Sequence, residues 1–332
     1  MFLVGKIFIY FIGDIMIWIL FLILAFLTVY LSIRLSYYAD LMSKTTNINK
    51  ALIGGILLAG ITSLPELVTC YSAISLDNVY LAVGDILGSN LFNLSIICVL
   101  DLFLIKKMFF DKTSNKYLLI YLILIINYIF IFLSFTGNLN ISLFNIGLPS
   151  FIIIITYFVY LFNVSKKEED VIIHHIENPG NKKGLIIKFI ICAIIMIAVS
   201  VLLTFVVNII SSLNPKISTS LIGATLLGVT TSLPEVITFI ALIKLNSYDL
   251  AISDIIGSNL FNLLVFAIGD IILRDSQIYN YSDIKNILLL KLCLTTTVIS
   301  LYQNMRRKSL NKLSYIIPSI IIIILYIGFL VF

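Results

Sequence analysis

Charge is scarce in this sequence. Only 12% of its 332 residues are Asp, Glu, Lys or Arg, while 60% are hydrophobic. A soluble globular chain carries about twice that charge, so a water-soluble domain is excluded. Histidine is scarcer still: His174 and His175 stand together in a polar stretch with no Cys or third His nearby. Neighbours in sequence point apart on a helix or strand, so the pair reads as part of a solvated linker, not as a metal or pH-sensing site. The four cysteines, Cys70, Cys98, Cys192 and Cys293, lie in apolar runs without CxxC spacing. They read as buried free thiols, which argues against a disulfide framework or a thiolate metal cluster. The N-terminus lacks an A-x-A-like cleavage site and reads as a leader into the first span.

Long apolar runs are what the sequence has in abundance, and mean hydropathy is +1.11. Tyr117–Phe135, Ile141–Asn163 and Leu313–Phe332 each approach the ~20 residues that cross a bilayer as a helix. Ten such spans are expected, over 16–38, 51–76, 80–103, 117–135, 141–163, 184–213, 218–245, 249–273, 284–302 and 313–332. The fold class is therefore an all-α polytopic membrane protein held in a lipid bilayer. Residues 2–38 are too long for one upright helix, so the first dozen are expected to tilt or lie along the interface.

The formal charge of +5 is a topology signal. Lys and Arg crowd the odd connections, as in Lys106, Lys107, Lys112 and Lys116, or Arg306, Arg307, Lys308 and Lys312. The even connections hold only Lys216, Arg274 and Lys285. Positive loops stay cytoplasmic, which puts both termini outside, with the cell membrane as the expected location. Little basic charge is left over for nucleic acid.

The long polar stretch 165–183 contains Pro179–Gly180 and reads as a cytoplasmic linker between halves 1–164 and 184–332. Five spans per half make the second half enter the membrane from the opposite side, an inverted-topology repeat. Ile53–Leu94 and Ile222–Leu263 align without a gap and are identical at more than half of their positions. The identities include Thr, Ser, Pro, Glu, Asp, Gly and Asn, which chance likeness between apolar helices would not supply.

Within these blocks Glu66 and Glu235 lie inside apolar helices that carry no central Lys or Arg. A carboxylate at bilayer depth costs at least ~2.5–3.5 kcal/mol, and such a residue usually faces a cavity or a partner. Pro65 and Pro234 precede them, so a kink and a released carbonyl near Ile61 and Thr230 are expected. Thr62, Ser63, Thr231 and Ser232 add hydroxyls in the same turn. In the following helix Asp85, Ser89 and Asn93 share a face by their spacing of four, as do Asp254, Ser258 and Asn262. Gly88 and Gly257 are expected to permit close helix approach, and Asn90 and Asn259 to join helices. The donor set is carboxylate, hydroxyl, amide and carbonyl oxygen, suited to hard cations such as Ca2+ or Na+ and not to zinc or copper.

"TSLPE" followed by "GSNLFN", twice in inverted halves, resembles the alpha repeats of the cation/Ca2+ antiporter superfamily, in particular prokaryotic Na+/Ca2+ exchangers. The resemblance implies a ten-helix exchanger working by alternating access, with the first and sixth helices sliding past the rest. It implies ligands Glu66, Ser63, Ser89 and Asn93 with Glu235, Ser232, Ser258 and Asn262, and carbonyls around Thr62 and Thr231. No cofactor and no enzymatic activity are implied; the ions are cargo.

The chain departs from the family pattern at three places. Ile61 and Thr230 stand where the motif usually has glycine. Both halves carry Asn at 93 and 262, where some Na+/Ca2+ exchangers have one acid. Asp85 and Asp254 replace a common Asn, which adds them to the candidate site and leaves selectivity open. Exchange of Ca2+ for Na+ leads. H+ is the alternative counter-ion, because four acids in one cavity repel one another. A cation channel is a remoter reading, and an intramembrane aspartyl protease fails because "AVGD" and "AIGD" lack the first glycine of G-x-G-D. Oligomeric state, stoichiometry and direction of transport are not legible.

Overall fold

A computed structural model describes residues 2–46, 48–104, 110, 117–164, 182–213, 230–306 and 311–331. Within them the chain is almost entirely helical. Helix α1 runs Phe2–Thr45, α2 Lys50–Thr62, α3 Leu64–Ser75, α4 Val79–Phe103 and α5 Leu118–Phe135. A two-residue hairpin, β1 (Ser142–Leu143) with β2 (Ile146–Gly147), leads into α6 (Leu148–Val164). Then come α7 (Lys182–Leu213), α8 (Leu233–Lys244), α9 (Tyr248–Ile272), α10 (Ile284–Met305) and α11 (Lys312–Val331). Seven of these are long and apolar enough to cross a membrane, or eight if the bent pair α2–α3 is one span.

The layering follows the side chains. Helices α4 and α9 lie at the centre, with Ile86, Leu87, Leu91, Ile255, Leu260 and Leu263 fully buried. Helices α1, α7 and α11 lie outside them and turn Trp18, Phe26, Ile194 and Ile324 outward, as lipid-facing helices do. Both α1 and α7 turn a face of short polar side chains inward: Thr28, Ser32 and Ser36 on one, Ser200 and Thr204 on the other, all buried. The two helices pack along each other and against the core.

Several sequence expectations change. Residues 2–45 form one continuous helix, so the first dozen are helical and run on into the first candidate span, Ile15–Thr45. The fifth span begins at Leu148, because residues 142–147 turn back on themselves with Phe144 and Asn145 at positive φ. Lys182 and Lys183 are the first residues of α7; residues 165–181, with both histidines, and the first part of the seventh span, 218–229, lie outside the described residues.

The proline does more than kink a helix. Helix α2 stops at Thr62, Ser63 is the joint (φ −93°, ψ 11°), and Pro65 sits in the first turn of a new helix, bent 41° from the old one. Pro is favoured there because its missing N–H is one the helix could not use. Glu66 thereby becomes a first-turn acid, where the helix dipole favours negative charge. Ser232, Pro234 and Glu235 repeat the arrangement at the start of α8 (Ser232 φ −85°, ψ 6°).

One close crossing holds the two blocks together. The middle of α2, Ile53–Leu58, is widened to a π-helical turn, and its Gly55 lies against Gly257 of α9 so tightly that a Cβ on Gly257 would overlap the Gly55 backbone. Gly257 thus acts as the sequence suggests. Around Gly88, in contrast, no described atom lies within 4 Å of where a Cβ would be; Ala224, the repeat-related position of Gly55, is outside the described residues.

Candidate functional site

The four helix ends and helix centres meet in a fully buried cluster. Ser63 Oγ donates to Glu235 Oε1 at 2.8 Å, and Ser232 Oγ to Glu66 Oε1 at 3.4 Å. Each serine joint therefore holds the carboxylate of the other block. Thr62 Oγ1 lies 3.4 Å from Ser258 Oγ, tying the end of α2 to the middle of α9. Glu66, Glu235, Ser63, Ser232, Thr62, Thr231 and Ser258 are all essentially without solvent exposure.

A second layer crosses between α4 and α9. Asn93 Nδ2 donates to Asn259 Oδ1 and Asn262 Nδ2 to Asn90 Oδ1, both at 3.0 Å. Asn90 Nδ2 donates to the Asn259 carbonyl at 3.2 Å, and Asn259 Nδ2 to the Asn90 carbonyl at 3.1 Å. Asn90 and Asn259 do join the helices, as expected, and they also hold Asn93 and Asn262.

Six buried oxygens in this region have no hydrogen-bond partner: Glu66 Oε2, Glu235 Oε2, Asn93 Oδ1, Asn262 Oδ1, Ser89 Oγ and Asp254 Oδ1. Leaving a buried polar atom unpaired costs roughly 1–3 kcal/mol, more for a charged group. Six together, five of them able only to accept when the acids are ionised, describe a place prepared for positive charge. Among the described residues no three His, Cys, Asp or Glu side chains converge as a metal cluster.

Asp85 and Asp254 stand apart from that centre. Asp85 Oδ2 lies 2.6 Å from Thr69 Oγ1, and Asp254 Oδ2 lies 2.8 Å from Thr238 Oγ1. The same threonine oxygens lie 2.9 Å from the main-chain carbonyls of Glu66 and Glu235. Each aspartate is thus tied to the helix of a site glutamate. Asp254 is fully buried and Asp85 only half-buried. Thr69 and Thr238 went unremarked in the sequence, although both blocks carry them three residues after the glutamate.

A second repeated acid pair was also missed. Asp270 Oδ2 accepts from Ser150 Oγ at 2.6 Å and Gly147 N at 2.8 Å, and its Oδ1 from Ile278 N at 2.8 Å. Asp101 accepts from Ser319 Oγ at 3.0 Å and from the Tyr315 hydroxyl. Asp101 and Ser319 are the repeat-related positions of Asp270 and Ser150. Signals existed, in the recurring Asp eight residues after Asn93 and Asn262 and in "LPS" and "IPS". All four cysteines are buried free thiols, as read from their spacing.

The chain matches the family described as sodium/calcium exchanger protein over residues 16–166 and 186–332. It belongs to the sodium/calcium exchanger family. This family consists of transporters, not enzymes, and it lies within the cation/Ca2+ antiporter superfamily whose repeats the two blocks resemble. Among relatives, this exchanger is 26% identical over 246 residues to the inner membrane protein YrbG of Escherichia coli (strain K12), covering 72% of this chain and 74% of that protein. In fold it is similar to the sodium-calcium exchanger NCX_Mj, soaked with Na+ and Sr2+, with TM-score 0.68 and 18% identity over 95% of this chain and 98% of that one. The same protein soaked with zero Na+ and Ca2+ gives TM-score 0.65 and 18% identity over 95% and 97% of the two chains.

Proposed function

We propose that this exchanger is a secondary active antiporter that moves Ca2+ against Na+ by alternating access, through ten spans arranged as two inverted five-helix halves. The observation that carries the reading is the set of unpartnered buried oxygens on Glu66, Glu235, Ser89, Asn93 and Asn262, with no Lys or Arg paired to either glutamate among the described residues. Two carboxylates balance one Ca2+ or two Na+, so the ions compete for the same oxygens, and competition for one site is what couples their movements. Glu66, Glu235, Ser63, Ser232, Ser89, Asn93, Ser258 and Asn262, with Thr62 and Thr231, supply the ligands. The crossed serine–glutamate bonds support an inverted repeat, because each half completes the other's site.

Helices α1 and α7 are the moving pair. Their buried faces place the small hydroxyl side chains Thr28, Ser32, Ser36, Ser200 and Thr204 among larger apolar ones, with Ser36 Oγ 3.4 Å from the Thr238 carbonyl, and small side chains interlock less than large ones. Asp40 at the inner end of α1 bonds Ser247 between α8 and α9 and pairs with Lys44 at 2.7 Å. That end is closed, and the fully buried Asp254 lies on the same α9. With Lys- and Arg-rich loops in the cytoplasm, both termini are outside, and the location is the cell membrane.

The second reading, H+ as counter-ion, rests on Asp85 and Asp254, whose threonine links connect them to the glutamate helices. Isotopic Ca2+ uptake by proteoliposomes with imposed Na+, K+ or H+ gradients separates the readings. Uptake driven by Na+ alone supports the first; uptake driven only by a pH gradient replaces it with the second. Flux with no counter-ion requirement indicates a channel and overturns both.

A further inference from the structure

We infer that Asn90 and Asn259 are positioning residues that fix which atom Asn93 and Asn262 show to the transported ion. The inference rests on the reading of this cluster as the cation site. An asparagine side chain can present either an oxygen or an NH2 group, and at a cation site only the oxygen is useful. Something must choose between them, and in this chain the choice begins at the backbone.

The carbonyl of Asn259 can only accept a hydrogen bond. The side-chain atom of Asn90 that meets it, at 3.2 Å, is therefore Nδ2. That nitrogen's other hydrogen reaches the Tyr128 hydroxyl at 2.9 Å, so both of its hydrogens are used. With Nδ2 fixed, Asn90 Oδ1 is turned toward Asn262, and only the Asn262 NH2 can meet it, at 3.0 Å. Asn262 Oδ1 is left over, buried and without a hydrogen-bond partner.

The mirror chain runs the same way. The Asn90 carbonyl fixes Asn259 Nδ2 at 3.1 Å, Asn259 Oδ1 fixes Asn93 Nδ2 at 3.0 Å, and Asn93 Oδ1 remains unpaired. Each half's backbone thus orients the amide of its own helix's site residue through a side chain from the opposite helix. The arrangement also sets what positions 93 and 262 can be. An ionised carboxylate at either would place oxygen against oxygen, so the net charge of the centre stays with Glu66 and Glu235. The further acids of this chain stand instead at Asp85 and Asp254, where threonine hydroxyls face them.

A double-mutant cycle on ion binding tests this. Ca2+ is titrated against thermal unfolding of the purified full-length protein, which yields the ion-free melting temperature and the Ca2+ concentration for half-maximal stabilisation. Asn90→Ala removes the acceptor of Asn262 Nδ2 and frees that amide to turn. One hydrogen bond's worth of orientation corresponds to roughly a two- to tenfold rise in half-saturating Ca2+. In an Asn262→Ala background the same change should add nothing, because the group it acts through is gone.

Tyr128→Phe, which leaves the Asn90–Asn262 bond in place, should not move the half-saturation. A merely structural Asn90 would lower the ion-free melting temperature in both backgrounds and leave Ca2+ dependence alone, or shift it equally in both. Either result overturns the inference. If Asn90→Ala does not fold, Asn259→Ala read against Asn93→Ala gives the same cycle from the other half. Glu66→Gln in the same assay keeps two failures apart. If it binds Ca2+ like the parent, the site reading itself is wrong; if it loses Ca2+ while Asn90→Ala does not, only the positioning role is.

Discussion

Replacing Gly257 by alanine adds a single methyl group at the closest approach between the two repeated blocks. The new Cβ would fall on the Gly55 backbone, where no side chain can rotate away. Relief requires α2 and α9 to separate, and α2 ends at Thr62, which lies 3.4 Å from Ser258 across that same gap. Overpacking of a tight interior costs about 1–3 kcal/mol, and here the strain is delivered to a helix that ends in the candidate ligands Thr62 and Ser63. Gly257→Ala should therefore melt at a lower temperature in detergent and need more Ca2+ for half-maximal stabilisation. Gly60→Ala, on α2, is the control. Its Cβ would meet the Phe261 ring at an ordinary 3.7 Å, and alanine is preferred over glycine in a helix by about 0.5–1 kcal/mol. That variant should match or exceed the parent. If Gly257→Ala is as stable and binds as well as Gly60→Ala, the close crossing does not hold the site.

Three further outcomes follow from the geometry. Asn93→Ala or Asn262→Ala should raise the Ca2+ concentration for half-maximal exchange while the protein stays folded, since each removes an oxygen that has no partner; unchanged half-saturation in both would move the site along the helix. The double variant Asp85→Asn/Asp254→Asn should retain exchange but shift its Ca2+ or pH dependence, and flux assays across pH that match the parent would make these acids structural. Asp270→Ala should destabilise the protein by about 1–3 kcal/mol, because Ser150 Oγ and the Gly147 and Ile278 N–H groups lose their acceptor. Its Ca2+ affinity should stay unchanged, as measured by the same thermal titration.

The helical fold class and the burial of Glu66 and Glu235 were legible because both rest on patterns that a linear sequence retains. Apolar runs give spans, and a repeated Glu66/Glu235 with no base beside it gives a buried acid needing a partner. The partner's identity was not legible. That Ser63 bonds Glu235, and not its near neighbour Glu66, depends on how the blocks cross, which no spacing within one block encodes. Thr69 and Thr238 were hidden for the opposite reason: threonine is common in helices, and only the position of Asp85 and Asp254 across the helix pair gives it a role. The hairpin at 142–147 was masked by its apolar residues, Ile141, Leu143, Phe144 and Ile146, which hydropathy cannot distinguish from a helix start. Two positive-φ residues there decide the turn.

Glu66→Gln removes one of two charges while keeping the side chain's size and its capacity to accept a hydrogen bond, so it tests the central claim most directly. The measurement is isotopic Ca2+ uptake by proteoliposomes under an outward Na+ gradient, with Glu66→Gln, Glu235→Gln and the parent reconstituted at equal density. A site with two crossed carboxylates predicts Na+-dependent uptake in the parent and none above background in either variant, with both variants still folded. Na+-driven uptake at the parent's rate in either glutamine variant would contradict the account.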